Sequence, residues 1–230
     1  MYFSFNDPPG KITRLLLLVA AVLVLASLIG QYSAHFLGDG YLQGFVPEFN
    51  LDREMNVPTW FSAGLFLYAS LLLRQLGAAD GENARKYWRG LAYVFVFLSL
   101  DEVAAVHEMA VEPMRRLFHA GGLLFFSWVI LGMAFVAVLA LFYFRFFLSR
   151  PRPQRGPFLA SAALFLAGTL GMEMIGGRYV ELHGNATFTY ALIANAEEAL
   201  ELFGLVAFIH ALMTLLHELQ NRSDKKDLGC

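Results

Sequence analysis

Several acidic side chains sit where an apolar chain should not carry them. Asp101, Glu108, Glu173, Glu198 and Glu201 fall inside, or at the ends of, stretches otherwise rich in Leu, Ile, Val, Phe and Ala. A charge at the centre of a bilayer costs about 2.5–3.5 kcal/mol on insertion scales, and neighbouring carboxylates also repel one another. They must be protonated, paired with arginine or bound to a cation. Arg178 is the nearest arginine by sequence, so a divalent metal ion (zinc or iron) or a shared proton is the economical solution. On this basis the metal ligands are expected to be Asp101, Glu108, Glu173, Glu198 and Glu201. Asp101 and His107 are the candidate catalytic residues, His107 as ligand or general base. A metal held in this way would activate water or oxygen.

Spacing refines the set. Asp101 and Glu108 are seven apart and share a helical stripe through Ala104 and Ala105. Small residues there let another helix approach closely. Glu197 and Glu201 are four apart, and Glu198 and Glu201 three apart, so Glu201 can sit beside either. Glu102 and His107 point to other sectors of the same helix. Carboxylate bundles that hold di-iron centres use Glu-x-x-His pairs; this chain has Glu198-x-x-Glu201 and no Glu-x-x-His. His210 and His217 form a separate stripe, and His210 is deep enough to extend a proton path. His35, His119 and His183 read as surface residues. The segment Asp52–Asn56 offers oxygen ligands of the kind calcium uses, but Asn56 precedes Pro58 as a helix cap would, and the cap is the favoured reading.

The elements that must position these groups are membrane-spanning helices. The chain has 230 residues, 57% hydrophobic and only 16% charged, with a mean hydropathy of +0.53. A soluble domain carries about 25% charged residues, so the excess apolar surface must face lipid. The net charge of −2 provides no basic field for nucleic acid. Stretches near 12–34, 57–74, 90–108, 120–145, 157–176 and 188–217 approach the roughly 20 apolar residues that a span needs. The prediction is an all-α polytopic bundle of about six transmembrane helices, one domain covering 1–230. Lys11 and Arg14, then Arg74, Arg85, Lys86 and Arg89, then Arg145, Arg150, Arg152 and Arg155, then Arg222, Lys225 and Lys226 fall on one side of six spans. That side is cytoplasmic by the positive-inside rule, giving an N-in/C-in protein of a bacterial cytoplasmic membrane. Cys230 is a lone terminal thiol. By helical rise, Asp101 lies about 18 Å above Arg89, Glu173 about 24 Å above Pro157 and Glu201 about 24 Å above His217. The acids thus converge in the outer half of the bilayer.

Two segments carry a family resemblance. Asp52-x-Glu54-x-Asn56 followed by Thr59 and Ser62, together with Leu100-Asp101-Glu102, resembles the alkaline ceramidase-like superfamily of membrane hydrolases. That resemblance implies seven helices, a calcium near the first helix, and a zinc held by three histidines with Asp and Ser nearby. About six helices are expected here, and His210 and His217 lack that superfamily's closely spaced histidine pair. The fuller pattern, from Leu51 to Ser62 with Ser99-Leu-Asp-Glu102 and His107-Glu108, is similar to uncharacterised bacterial multipass membrane proteins. Walker loops, nucleophile elbows, cysteine motifs and dinucleotide fingerprints are missing from the sequence. Three functions remain open. One is a metal-dependent enzyme acting on a lipid or lipid-like substrate. The second is a proton- or cation-translocating or coupling subunit. The third is a non-catalytic subunit that partners another membrane protein.

Overall fold

The structure, a computed structural model, describes residues 9–227, with side chains described as far as Arg222; the side chains of Lys225 and Lys226, and Cys230, lie outside the described residues. Among the described residues the chain is helical and has no strand. Helix α1 (Pro9–Tyr32) runs on through a π-turn to Leu37 and closes at Gly38, which takes a left-handed conformation. The short α2 (Phe45–Phe49) leads to α3 (Val57–Ala79). Asn56 caps α3 by accepting the Thr59 N–H at 3.1 Å, the role expected of it. A turn at Asp80 and Gly81 reverses the chain into α4 (Glu82–Ala104). Beyond it lie a 3₁₀ turn (His107–Ala110), α5 (Val111–Phe118), α6 (Trp128–Ser149) and α7 (Arg152–Leu166). A π-segment (Ala167–Met172) joins α7 to α8 (Glu173–His183), and α9 (Phe188–Asp227) completes the fold.

Among the described residues, five helical stretches are long and apolar enough to cross a membrane: Pro9–Leu37, Val57–Ala79, Trp128–Ser149, Arg152–His183 and Phe188–Arg222. Helix α4 is not among them, because Arg85, Lys86, Arg89, Asp101 and Glu102 interrupt its 23 residues. Burial separates the centre from the rim. In α3 and α9, 56% of the most apolar window is buried, against 11% in α6. The α6 side chains that remain outside are apolar, with Leu141 80% exposed. Such a surface is stable only against lipid or another protein.

The centre is dry. Leu72, Leu73 and Leu76 of α3 pack with Val206, Ile209 and Leu212 of α9, all essentially without solvent contact, and α1, α4 and α7 surround them. Helices α3 and α4 are stitched by the Ser70 hydroxyl donating to the Ala92 carbonyl and the Ser99 hydroxyl to the Ala63 carbonyl, both at 2.9 Å. Helices α7 and α9 meet backbone to backbone. A Cβ added at Gly204 would lie 2.6 Å from the Phe165 nitrogen, and one at Gly168, in the π-segment that follows α7, 2.7 Å from the Glu197 carbonyl. At the end remote from the acids, Arg150 clamps Asp80 at 2.7 Å and 3.1 Å, and the Trp88 indole donates to the same carboxylate at 2.7 Å. That pair ties the α3–α4 turn to the α6–α7 turn.

Gly204→Ala is expected to lower stability by about 1–3 kcal/mol, the usual cost of overpacking, because the added carbon meets backbone that cannot yield. Gly64→Ala, whose Cβ would meet nothing within 4 Å, serves as the control. Thermal unfolding in mild detergent checks both.

Candidate metal centre

Helix α4 ends at Ala104, and Ala105 takes a left-handed conformation (φ 47°). For a residue with a Cβ this costs about 1–2 kcal/mol. Asp101 offsets the strain. Its carboxylate accepts the His107 backbone N–H at 2.8 Å, and its other oxygen faces His107 Nδ1 at 3.0 Å. The break swings the chain back over the helix end. The stripe expected to join Asp101 to Glu108 through Ala104 and Ala105 therefore does not exist, because the helix stops between them.

The fold-back brings His107 and Glu108 to Glu54, which precedes α3. One ligand atom from each lies within 4.8 Å of the others, so the three could hold a metal ion; both carboxylates are solvent-accessible. Glu54 reaches this position because Met55 also adopts a positive φ of 57°, while Asn56 is occupied as the helix cap. With Nδ1 turned to Asp101, Nε2 is the ring nitrogen left to face an ion. Behind it, the Trp128 ring lies 4.7 Å from the His107 ring. The Trp128 N–H donates to Glu173 at 2.6 Å, and Glu173 in turn faces Glu197 at hydrogen-bonding reach.

A second setting adjoins this one. The Ser62 hydroxyl of α3 donates to Glu102 of α4. Ser62, Glu102, Glu198 and Glu201 line a cavity of about 10 Å³, room for a single water molecule. Its apolar wall is Phe66, Phe165, Leu202 and Leu205.

The expected ligands are thus divided. Glu108 sits in the metal-competent group and Asp101 orients its histidine. Glu173 holds Trp128, while Glu198 and Glu201 face the neighbouring cavity. Glu102, set aside on sequence grounds as pointing elsewhere, is part of that cavity. Glu54, Ser62 and Trp128 were not among the expected site residues. The signal for Glu54 was present in the Asp52–Asn56 run, where oxygen ligands were weighed and the cap was favoured. His210, placed by its depth in a second site or on a proton path, meets the Thr13 hydroxyl of α1 at 2.8 Å.

The chain matches the family described as Domain of unknown function (DUF8692) over residues 15–216, and it belongs to that family. No curated protein and no solved structure matches it.

At the rim, the Tyr190 hydroxyl donates to Asp52 at 3.3 Å. Asp52 keeps some exposed surface, yet desolvation pushes its pKa up to about 6. The Tyr190 hydrogen bond opposes the rise, and the charges of Glu173 and Glu108 add to it. A carboxyl group whose pKa is raised on folding stabilises the folded state at low pH and loses that contribution as pH climbs through the folded value. Relative to Asp52→Asn, the wild type is therefore expected to lose stability as pH rises from about 4 to about 6. Melting temperatures measured across that interval give the difference.

Proposed function

We propose that this DUF8692 protein is a metal-dependent membrane enzyme acting on a lipid-like substrate in the outer half of the bilayer. One observation carries the proposal: Glu54, His107 and Glu108 converge within 4.8 Å while Asp101 holds His107 from behind. A carboxylate on the far nitrogen of a metal-binding histidine fixes its tautomer and raises its basicity. Three protein ligands leave a position open for water or a substrate oxygen. Oxygen and imidazole donors suit zinc or iron, and either ion activates water. Glu102, Glu198 and Glu201 sit beside this centre, where they are available to accept and return protons.

The proposal includes six spans, α4 among them, with both chain ends on the cytoplasmic side of a bacterial cytoplasmic membrane. Helix α4 matches α3 in length, about 35 Å at helical rise, and lies antiparallel along it. The arginines and lysines of the α3–α4 and α6–α7 turns lie opposite the acids, as the positive-inside rule asks. A carrier function is less well supported. Inward of Glu201, α9 presents Leu202, Leu205, Val206, Ile209 and Leu212 to the core, each at 3% exposure or less, with no polar step toward the other face. The three-histidine zinc of the alkaline ceramidase-like superfamily has no counterpart among the described residues, where the metal-competent group holds one histidine.

Elemental analysis of detergent-purified protein reconstituted with zinc or ferrous iron is expected to give about one ion per chain. His107→Ala and Glu108→Ala should retain less than about a tenth of that, and Asp101→Asn should bind about 10–100-fold more weakly, with helicity intact in all three. Proteoliposomes should show no proton flux. A metal-free wild type after reconstitution would overturn the proposal.

A further inference from the structure

We infer that Glu173 is a positioning residue that acts on the metal centre through Trp128, and that Gly132 makes the room this requires. The inference rests on His107 being a metal ligand. His107 lies beyond the end of α4 on a 3₁₀ turn, so no regular helix fixes its side chain. Two contacts do. Asp101 holds the ring in its plane through Nδ1 at 3.0 Å. Trp128 packs on the ring at 4.7 Å, tilted by 56°, and restricts rotation out of that plane.

Trp128 is the first residue of α6, where an indole has many directions open to it. Glu173 selects one by accepting the indole N–H at 2.6 Å. Gly132, one turn along α6, permits it: a Cβ there would meet Trp128 Cζ3 at 2.9 Å and Leu170 Cδ2 at 3.1 Å. Glu173 is aimed by the π-segment Ala167–Met172 immediately before it. A π-turn adds a residue to the helix and rotates the residues beyond it by about 100° relative to an unbroken α-helix. The chain of contacts from α7 through the π-segment, Glu173 and Trp128 to His107 is thus a continuous mechanical support for one ligand. It also gives Glu173 a role other than the metal ligation that its position in an apolar helix suggests.

Glutamine separates the two roles, since it keeps the oxygen that Trp128 needs and removes the charge that a ligand needs. The test is Co²⁺ affinity of the full-length protein in detergent, followed by visible absorption. Glu173→Gln is expected within about threefold of wild type, and Glu173→Leu about 10–100-fold weaker, as for other residues that orient a ligand. Trp128→Phe should weaken binding similarly, and the double variant Trp128→Phe/Glu173→Leu no further, since the two act in series. Gly132→Ala should shift affinity in the same direction. Equal losses in Glu173→Gln and Glu173→Leu would make Glu173 a ligand or a required charge and overturn the inference, as would additive losses in the double variant or an unaffected Glu173→Leu. If Glu173→Leu does not fold, the Glu173→Gln and Trp128→Phe pair decides: a loss in the first, or none in the second, overturns it. A wild type that binds no Co²⁺ removes the metal centre itself, an outcome distinct from any of these.

Discussion

A carboxylate taken out of water must be given a donor, a proton or a cation, and that requirement organises the acidic end of this protein. Asp101 is met by the backbone N–H and ring of His107, Glu102 by Ser62, Glu173 by Trp128 and Asp52 by Tyr190. Except for the Asp101 pair, which spans the break after α4, each donor lies on a different helix or loop from the acid it serves. Meeting the electrostatic demand therefore also fixes which elements adjoin: α3 to α4, α6 to α8, and α9 to the loop before α3. The same rule operates once at the opposite end, where Arg150 and Trp88 converge on Asp80.

Between these polar ends the helices are held by shape. The contact of α7 and the π-segment after it with α9 is close enough that Gly168 and Gly204 have no room for a side chain. In lipid, apolar side chains gain little by moving from tails to a neighbouring helix, so close packing must supply the attraction. The glycines set the distance between α7 and α9, and that distance brings Phe165 of α7 and Glu201 of α9 to the wall of one cavity. Helix α6 lacks such a contact along most of its length and is fastened near its ends, by Trp128 on one side and by Tyr143, Phe146 and Arg150 on the other.

The helices and the gathering of the acids toward one end of the bundle were legible because both follow from local rules: apolar run length and helical rise. The boundaries were less so. Helix α4 begins at Glu82 because Arg85, Lys86 and Arg89 are good helix formers and the turn before them needs only Asp80 and Gly81. Helix α6 begins at Trp128, past the Gly121–Gly122 pair that breaks the apolar run. The site was partly hidden for two reasons. Ala105 and Met55 carry left-handed backbone without glycine or asparagine to announce it, so the return of His107 and the reach of Glu54 had no local signature. Glu102 was read as pointing to a different sector of α4 from Asp101, and the two do diverge, Asp101 toward His107 and Glu102 toward α3 and α9; what spacing could not show is that this second sector has a polar setting of its own.

The charge balance of the proposed centre argues for its composition. Glu54 and Glu108 with a neutral imidazole bring two negative charges, which a divalent ion cancels. A neutral assembly is the least costly one to hold at the edge of a hydrocarbon layer. A third carboxylate in the ligand set would restore a net charge. Asp101 stays outside the ligand group, and its charge is met instead by the backbone N–H and ring of His107. Glu102, Glu198 and Glu201 lie outside that ligand group: they line the adjoining cavity and are carried on α4 and α9 rather than on the segments that surround Glu54 and Glu108. Each needs a proton or a hydroxyl of its own, the part Ser62 plays for Glu102. An ion held by Glu54, His107 and Glu108 would then lie beside carboxyl groups that stay outside its ligand set and would be free to exchange protons.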